Sequence, residues 1–258
     1  MNKISSVIIS LVLGTSVFAQ QKAKTPEMPI EEKLYQPVVV IENFSSEGCS
    51  SCPIADEFLA KIIHMSDSSN TPVYVLDFHV DLWNKAGWVD KYSDSNFTLR
   101  QKSYIGKVPN QAMYTPQAFL NGTVTWPGNA QKEIGQFIQN TLQQPLKHFL
   151  RITAFQNALD SITIDYNIWG KTDSSIINFA IVFNEIYSKV TAGENANKLL
   201  HHHNVVKFFK TENVIFNRGR SFIKIPPGFD LSQARLIAFV QHERSWQVLA
   251  ADQLIIAK

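Results

Sequence analysis

Cys49-Ser50-Ser51-Cys52 holds both cysteines of a chain of 258 residues, three positions apart. A bridge closing so small a loop restrains little of the unfolded chain, so as a structural staple it is worth little. The spacing suits thiol–disulfide exchange better. At the start of a helix the first thiol faces unpaired backbone N–H groups and the positive end of the helix dipole, both of which favour the thiolate. Residues three apart on a helix face one another, so the second thiol can attack a mixed disulfide formed at the first. A passive surface disulfide remains the plain alternative.

The flanking residues supply that placement. Pro37 to Phe44 is a β-branched run of buried-strand type, and Ser45-Ser46-Glu47-Gly48 is a turn. Pro53 then falls in a first helical turn, and Ile54, Phe58, Leu59 and Ile62 recur at helical spacing to about His64. Val73 to His79 is a second strand, followed by an aromatic-rich helical insertion from Asp81 to about Gly106. After Tyr114-Thr115-Pro116-Gln117 comes a hairpin, Ala118-Phe119-Leu120 and Thr123-Val124-Thr125 about the turn Asn121-Gly122. A helix from about Asn129 to Leu142 presents Ile134, Phe137, Ile138 and Leu142 on one face.

From Pro145 onward the helical period gives way to alternation, as in Ile162, Ile164, Tyr166 and Ile168, then Phe179, Ile181 and Phe183. Period two predicts consecutive hairpins, continued by Val205 to Phe209, Ser221 to Ile225, Ala234 to Gln241 and Gln247 to Asp252. The expected architecture there is an antiparallel sandwich. No P-loop, Gly-rich dinucleotide motif or Ser-His-Asp pattern stands out in it.

Composition narrows the function classes. Lys+Arg 24 against Asp+Glu 22 gives a formal charge of +2, too small and too evenly spread for a nucleic-acid face. No apolar run reaches the roughly 18 residues of a membrane span, so no transmembrane segment is expected in the mature chain. The N-terminus carries an address instead. Lys3, the apolar Ile4 to Val17 and Val17-Phe18-Ala19 form a signal-peptide pattern, with cleavage expected after Ala19 and export to the periplasm or medium. An uncleaved anchor is the alternative. In that oxidising milieu paired cysteines usually become disulfides.

Several segments together resemble a known family. These are Glu47-Gly48-Cys49-Ser50-Ser51-Cys52-Pro53, Phe78-His79-Val80-Asp81-Leu82-Trp83, Gly87-Trp88, Tyr114-Thr115-Pro116-Gln117, Gly193-Glu194-Asn195 and His202-His203-Asn204-Val205-Val206. They are similar to the exported family catalogued as domain of unknown function 1223, and the element order resembles a thioredoxin fold. The resemblance implies an α/β thioredoxin-like domain over 37–145, with the insertion at 81–106. An antiparallel β-sandwich-like domain over 146–258 follows it. Residues 1–19 are then the signal peptide and 20–36 a flexible lead-in.

On that reading Cys49, the more exposed thiol, attacks and Cys52 resolves. The resemblance makes Pro116 a cis-proline beside the cysteines, with the Thr115 backbone pairing an extended substrate. Glu42, one residue out of register, takes the place of a buried acid that relays the resolving thiol's proton. A strand-edge glutamate and a simple turn at Pro116 are the bland readings. His79 would lower a thiol pKa or shuttle protons, or be a satisfied half-buried histidine. Trp83, Trp88 and Gln117 are substrate-side candidates, with Tyr92 beside the tryptophans, and an aromatic core is the alternative.

The function expected is that of an exported thiol–disulfide oxidoreductase. It would act on thiol- or disulfide-containing exported proteins through a redox partner that the sequence leaves unnamed, with no cofactor beyond the redox-active Cys49–Cys52 disulfide. Two other readings stand beside it. One is a copper-binding or metal-delivery site of Cys49, Cys52, His201 and His203, since imidazole and thiolate suit such ions. Three adjacent strand histidines alternate in direction, so at most two of His201-His202-His203 share one site. The other is a non-catalytic binding module on a thioredoxin scaffold.

Overall fold

The computed structural model describes residues 37–108, 111–145, 147–158, 160–227 and 229–256; of residues 157 and 158 it describes the backbone alone. The expected signal peptide at 1–19 and lead-in at 20–36 lie outside the described residues.

Strand β1 (Val39–Ser45) is buried along its whole length, as is β2 (Val73–His79). The two run parallel, and parallel strands covered on both faces carry apolar side chains in both directions. They are joined by helix α1 (Cys52–Ser69), which has a proline in its first turn and ends at Asn70 in the left-handed conformation, φ 52°. Cys52, Ala55, Asp56, Leu59, Ala60 and Ile63 recur every three or four residues as its buried face. Leu59 and Ile63 pack on Val39, Ile41, Val73 and Val75 of one sheet face, joined there by Ile134 of helix α3 (Gln131–Leu142). The other face carries Phe44 and Phe78, covered by Phe97 and Tyr104 of helix α2 (Ser95–Ile105). Strands β3 (Gln117–Leu120) and β4 (Val124–Pro127) turn at Asn121 and Gly122, both at positive φ, with Thr123 N donating to Leu120 O at 3.1 Å. Two successive positive-φ residues are what a tight type I′ hairpin needs.

The sheet does not end there. Strands β7 (Ser175–Lys189), β8 (Leu199–Asn213), β10 (Ala234–His242) and β11 (Val248–Ile255) continue it, in the order β11-β10-β7-β8-β2-β1-β3-β4. The seam is a parallel pairing of β8 with β2 at Asp77 and Val205, reinforced by Asn204 Nδ2 donating to Val75 O at 3.0 Å. Strands β5 (Phe149–Ala158), β6 (Ser161–Trp169) and β9 (Arg218–Lys224) form a separate sheet. Its inward Leu150, Ile152, Ile162 and Ile164 pack on Ile177, Phe179, Leu236 and Ala238 of the long one. Among the described residues no helix is long and apolar enough to cross a membrane.

The expected α/β thioredoxin-like domain followed by a β-sandwich-like domain is therefore corrected. The described residues form one mixed eight-stranded sheet backed by a three-stranded sheet, with α1, α2 and α3 covering the first-half strands. The physical reason is the edge of β2. An open parallel edge exposes a row of unpaired backbone groups, and β8 takes it up.

Glu42 illustrates the seam. Its carboxylate accepts from Arg100 Nη2 at 2.9 Å and from the Tyr104 hydroxyl, while the guanidinium lies 4.5 Å from the Phe209 ring of β8 and 5.4 Å from that of Trp246. Burial works against the charge of Arg100, but Glu42 and Tyr104 outweigh it and hold the guanidinium above its ordinary value. Removing one partner of a buried ion pair strands the other. Arg100→Met is expected to destabilise the protein by about 3–5 kcal/mol, and Glu42→Gln in the same chain to restore part of the loss, read from guanidinium unfolding midpoints.

Candidate functional site

Strand β1 ends at Ser45, and the following turn delivers the cysteines to the start of α1. Cys49 N donates to Ser46 O at 3.1 Å and Cys52 N to Cys49 O at 3.3 Å, and the two residues form a disulfide with Cα atoms 5.5 Å apart. Cys49 Sγ lies 3.4 Å from Ser51 Oγ and 3.6 Å from the carbonyl oxygen of Thr115. The Thr115–Pro116 peptide bond is cis. Trp83 Nε1 donates to Thr115 Oγ1 at 2.7 Å, which ties the loop to the turn after β2. A Cβ at position 48 would come 2.8 Å from Trp83 Cβ, so the close approach of that indole requires Gly48.

The second half of the chain closes over this turn. Asn195 Nδ2 donates to the carbonyls of Glu47 and Cys49, both at 2.9 Å, and Ser50 N donates to the Glu194 carboxylate at 2.9 Å. Ser51 caps α1 without a side-chain hydrogen bond, so Glu194 supplies an anion next to the helix N-terminus. The hydrogen bonds from Ser50 hold the Glu194 carboxyl below its ordinary value. As a result Cys49 and Cys52 are each only 1% exposed, and the exposed residues of the motif are Ser50 and Ser51. The expectation of Cys49 as the more exposed sulfur is corrected on that ground.

Beneath the turn lies a buried ionisable network. His79 is held between two carboxylates, Nδ1 2.7 Å from Asp90 Oδ2 and Nε2 3.1 Å from Asp77 Oδ2. Burial disfavours its charge, but Asp90 and Asp77 outweigh burial and raise the imidazole well above its ordinary value. Asp90 also accepts from Glu47 N at 2.8 Å and Tyr92 N at 2.9 Å. Burial opposes its ionisation, yet His79 and these backbone donors bring it down to about 2. His202 places Nδ1 2.9 Å from Asp56 Oδ2 and Nε2 3.7 Å from Glu47 Oε1, two facing atoms with no hydrogen bond of their own. Asp56 follows Cys52 by four residues on the buried face of α1, and burial together with Asp77 raises its carboxyl, partly offset by His202.

The structure brings Cys49, Cys52, Thr115, Pro116 and Trp83 together, and links His79 to them through Asp90 and Glu47. Trp88 Nε1 donates to Glu47 Oε2 at 2.6 Å, and the Tyr92 ring lies 5.8 Å from that of His79. Three residues fall elsewhere. Gln117 is fully buried and accepts from Gln101 Nε2 at 2.7 Å, so its side chain faces the interior and not a substrate. Glu42 is bound by Arg100 and Tyr104 on the α2 side of the sheet, whereas its neighbour Asn43 donates to Asp77 at 2.7 Å on the α1 side, because strand side chains alternate. His201 and His203 lie beside His64 and Glu185, and no contact joins either to the cysteines. Burial and His201 bring the His203 imidazole down to about 4. Asp56, Asp77, Asp90 and Glu47 join the site without having been expected from the sequence. Of these only Glu47 stood within a motif, and Asp56 offered the weak signal of an acid one helical turn after Cys52.

Among the described residues two sets of side chains offer metal-ligating atoms within 4.8 Å of one another, Asp77 with His79 and His202, and His64 with Glu185 and His203.

The family model described as protein of unknown function (DUF1223) matches residues 40–241, most of the chain and all of the elements around the disulfide. The chain belongs to that family. No curated protein matches it significantly. Among solved structures, protein AGR_C_4864 from Agrobacterium tumefaciens is similar at 24% identity and a TM-score of 0.66, covering 87% of this chain and 97% of that one. HBP35 of Porphyromonas gingivalis is similar at 15% identity and a TM-score of 0.61, covering 86% of this chain and 76% of that one. At these identities the likeness to this DUF1223 member concerns the fold, which extends across the seam between the two halves.

A histidine raised by buried acids contributes stability that is full below its unfolded value, near 6.5, and fades as pH rises through its higher folded value. Asp90, lowered, contributes above about 3.8 and loses that contribution toward about 2. His79→Gln is therefore expected to cost about 3–5 kcal/mol near pH 6, with the deficit shrinking as pH rises through the folded value of His79. Urea unfolding of both proteins from pH 5 to 9 reads the difference.

Proposed function

We propose that the protein is an exported thiol–disulfide oxidoreductase working through Cys49 and Cys52 on thiols or disulfides of other exported proteins. The observation that carries this reading is the disulfide at the N-terminus of α1, its Cys49 sulfur against the Thr115 carbonyl and its Cys52 one helical turn from a buried acid. Kinship with the thioredoxin superfamily rests on that cysteine turn and the Thr115–Pro116 loop, not on the sheet as a whole.

The chemistry follows. In the oxidising direction a substrate thiolate attacks Cys49 Sγ, the Cys49–Cys52 bond breaks, and Cys52 leaves as a thiolate. Asp56, whose raised carboxyl holds a proton more readily than an ordinary one, is placed to protonate it. A second substrate thiolate then displaces Cys49, so two substrate thiols become a disulfide while the protein becomes a dithiol. The reductive direction is the reverse. His79 holds a proton within the network, and Glu47 couples it to the turn through its backbone N–H on Asp90.

The deep burial of both sulfurs favours a second reading, an inert disulfide within a binding module. The reduction potential of the pair separates the two. A value within roughly −120 to −270 mV, with activity lost in Cys49→Ser, is expected of an exchange catalyst, whereas a value below about −300 mV overturns the redox reading. The carboxylate of Glu194 opposes negative charge at Cys49. Glu194→Gln should therefore lower the Cys49 thiol pKa in the reduced protein, seen as faster alkylation at fixed pH near neutrality.

A further inference from the structure

Away from the disulfide, three imidazoles and a carboxylate converge from three elements. His64 comes from α1, Glu185 from β7, and His201 and His203 from β8. Glu185 stands directly opposite His203 in the β7–β8 ladder. The His203 ring lies 5.2 Å from that of His64 and 4.1 Å from that of His201. Glu185 places one oxygen 3.4 Å from His201 Nε2 and the other 3.9 Å from His203 Nε2.

The buried ring nitrogens of this cluster lack the hydrogen-bond partners that buried polar atoms ordinarily have. His203 is 8% exposed, and neither of its ring nitrogens makes a hydrogen bond; His201 Nε2 makes none either. The cluster at Asp77, His79 and His202 differs, because both nitrogens of His79 are taken by carboxylates. Tyr187 stacks on His201 at 4.2 Å and 10°, which fixes the orientation of that ring. His64 and Glu185 are exposed, so the group opens to solvent and its outer members are free to adjust.

We propose that His64, Glu185, His201 and His203 bind one divalent transition-metal ion of the zinc or copper(II) type. Imidazole and carboxylate with no thiolate select such ions over copper(I), magnesium or calcium. A tetrahedral ion about 2.0–2.1 Å from each donor separates donors by roughly 3.4 Å. The donor atoms of His64, Glu185 and His203 already lie within 4.8 Å of one another, so a rotation of exposed side chains closes the set. The site takes only two of the three adjacent histidines and neither cysteine, and it does not depend on the redox reading.

Calorimetric titration of the purified untagged protein with zinc chloride, and separately with copper(II) chloride, tests this. One ion per chain is expected, bound equally by the oxidised protein and by Cys49→Ser. His64→Gln and Glu185→Gln alter exposed side chains and leave the core intact, and each is expected to weaken binding at least about tenfold, since even loss of a group that only orients a ligand costs that much. His203→Gln should do so more strongly. His148→Gln, at a histidine outside the cluster, should bind as the native chain does. Copper(II) bound at the site should also show nitrogen hyperfine splitting in its paramagnetic resonance spectrum, reduced in His64→Gln. Absence of stoichiometric binding of either ion overturns the proposal, as does binding that His64→Gln and Glu185→Gln leave unchanged.

Discussion

The parallel pairing of β8 with the edge of β2 is the contact on which the rest of the molecule depends. It rests on a short stretch of ladder at Asp77 and Val205 and on one side-chain hydrogen bond from Asn204 to the backbone of Val75. Through it, strands from opposite halves of the chain share one sheet and one apolar face, where Phe44 and Phe78 meet Val206 and Phe239. Through it also, His202 arrives beside Asp56 and His79. The loop before β8 is thereby carried over the cysteine turn, where Asn195 donates to the Glu47 and Cys49 carbonyls and Glu194 accepts from Ser50 N just before the helix.

That junction has an electrostatic cost, and the arrangement of charge answers it. Asp56, Asp77, Asp90, Glu47, His79 and His202 are all buried on the α1 side of the sheet or in the turn above it. Isolated carboxylates in such a place would be strongly disfavoured. Here each shares a hydrogen with a histidine, an indole, a backbone amide or the amide of Asn43. Glu42 and Arg100 solve the same problem separately on the other face. Polar groups so packed are held in defined places by their partners. The tight packing of Gly48 against Trp83 belongs to the same design, since it holds the turn that the network grips.

Much of the local structure was legible in the residues. Pro53 after a β-branched run marked the start of α1, and Asn121-Gly122 marked a hairpin turn, whose two residues take positive φ and whose connection extends one residue further to Thr123. Alternation at Ile162, Ile164, Tyr166 and Ile168 identified β6, whose side chains do face the other sheet. The disulfide followed from spacing and from the expected export. What was misread concerns partners. Alternation says that a strand has two faces but not which strand lies beside it, so a continuous sheet read as two domains. Glu42 and Gln117 were assigned by resemblance and by proximity in sequence, and a shift of one residue along a strand sends a side chain to the opposite face.

The residues by themselves determined the cysteine pair at a helix start, the hairpin and the strands, because each depends on neighbours within a few positions, and the family, because its motifs are read along the chain without regard to which of them meet. The joining of the halves, the cover over Cys49, the Asp77–His79–Asp90 and Asp56–His202 contacts and the grouping of His64 with His203 were decided only in the tertiary structure. Asn195 and Cys49 stand 146 residues apart, and so do His202 and Asp56. No local propensity acts over such separations. They meet because burying the edge of β2 and its apolar faces favours one register, and that register fixes which distant polar groups must satisfy one another.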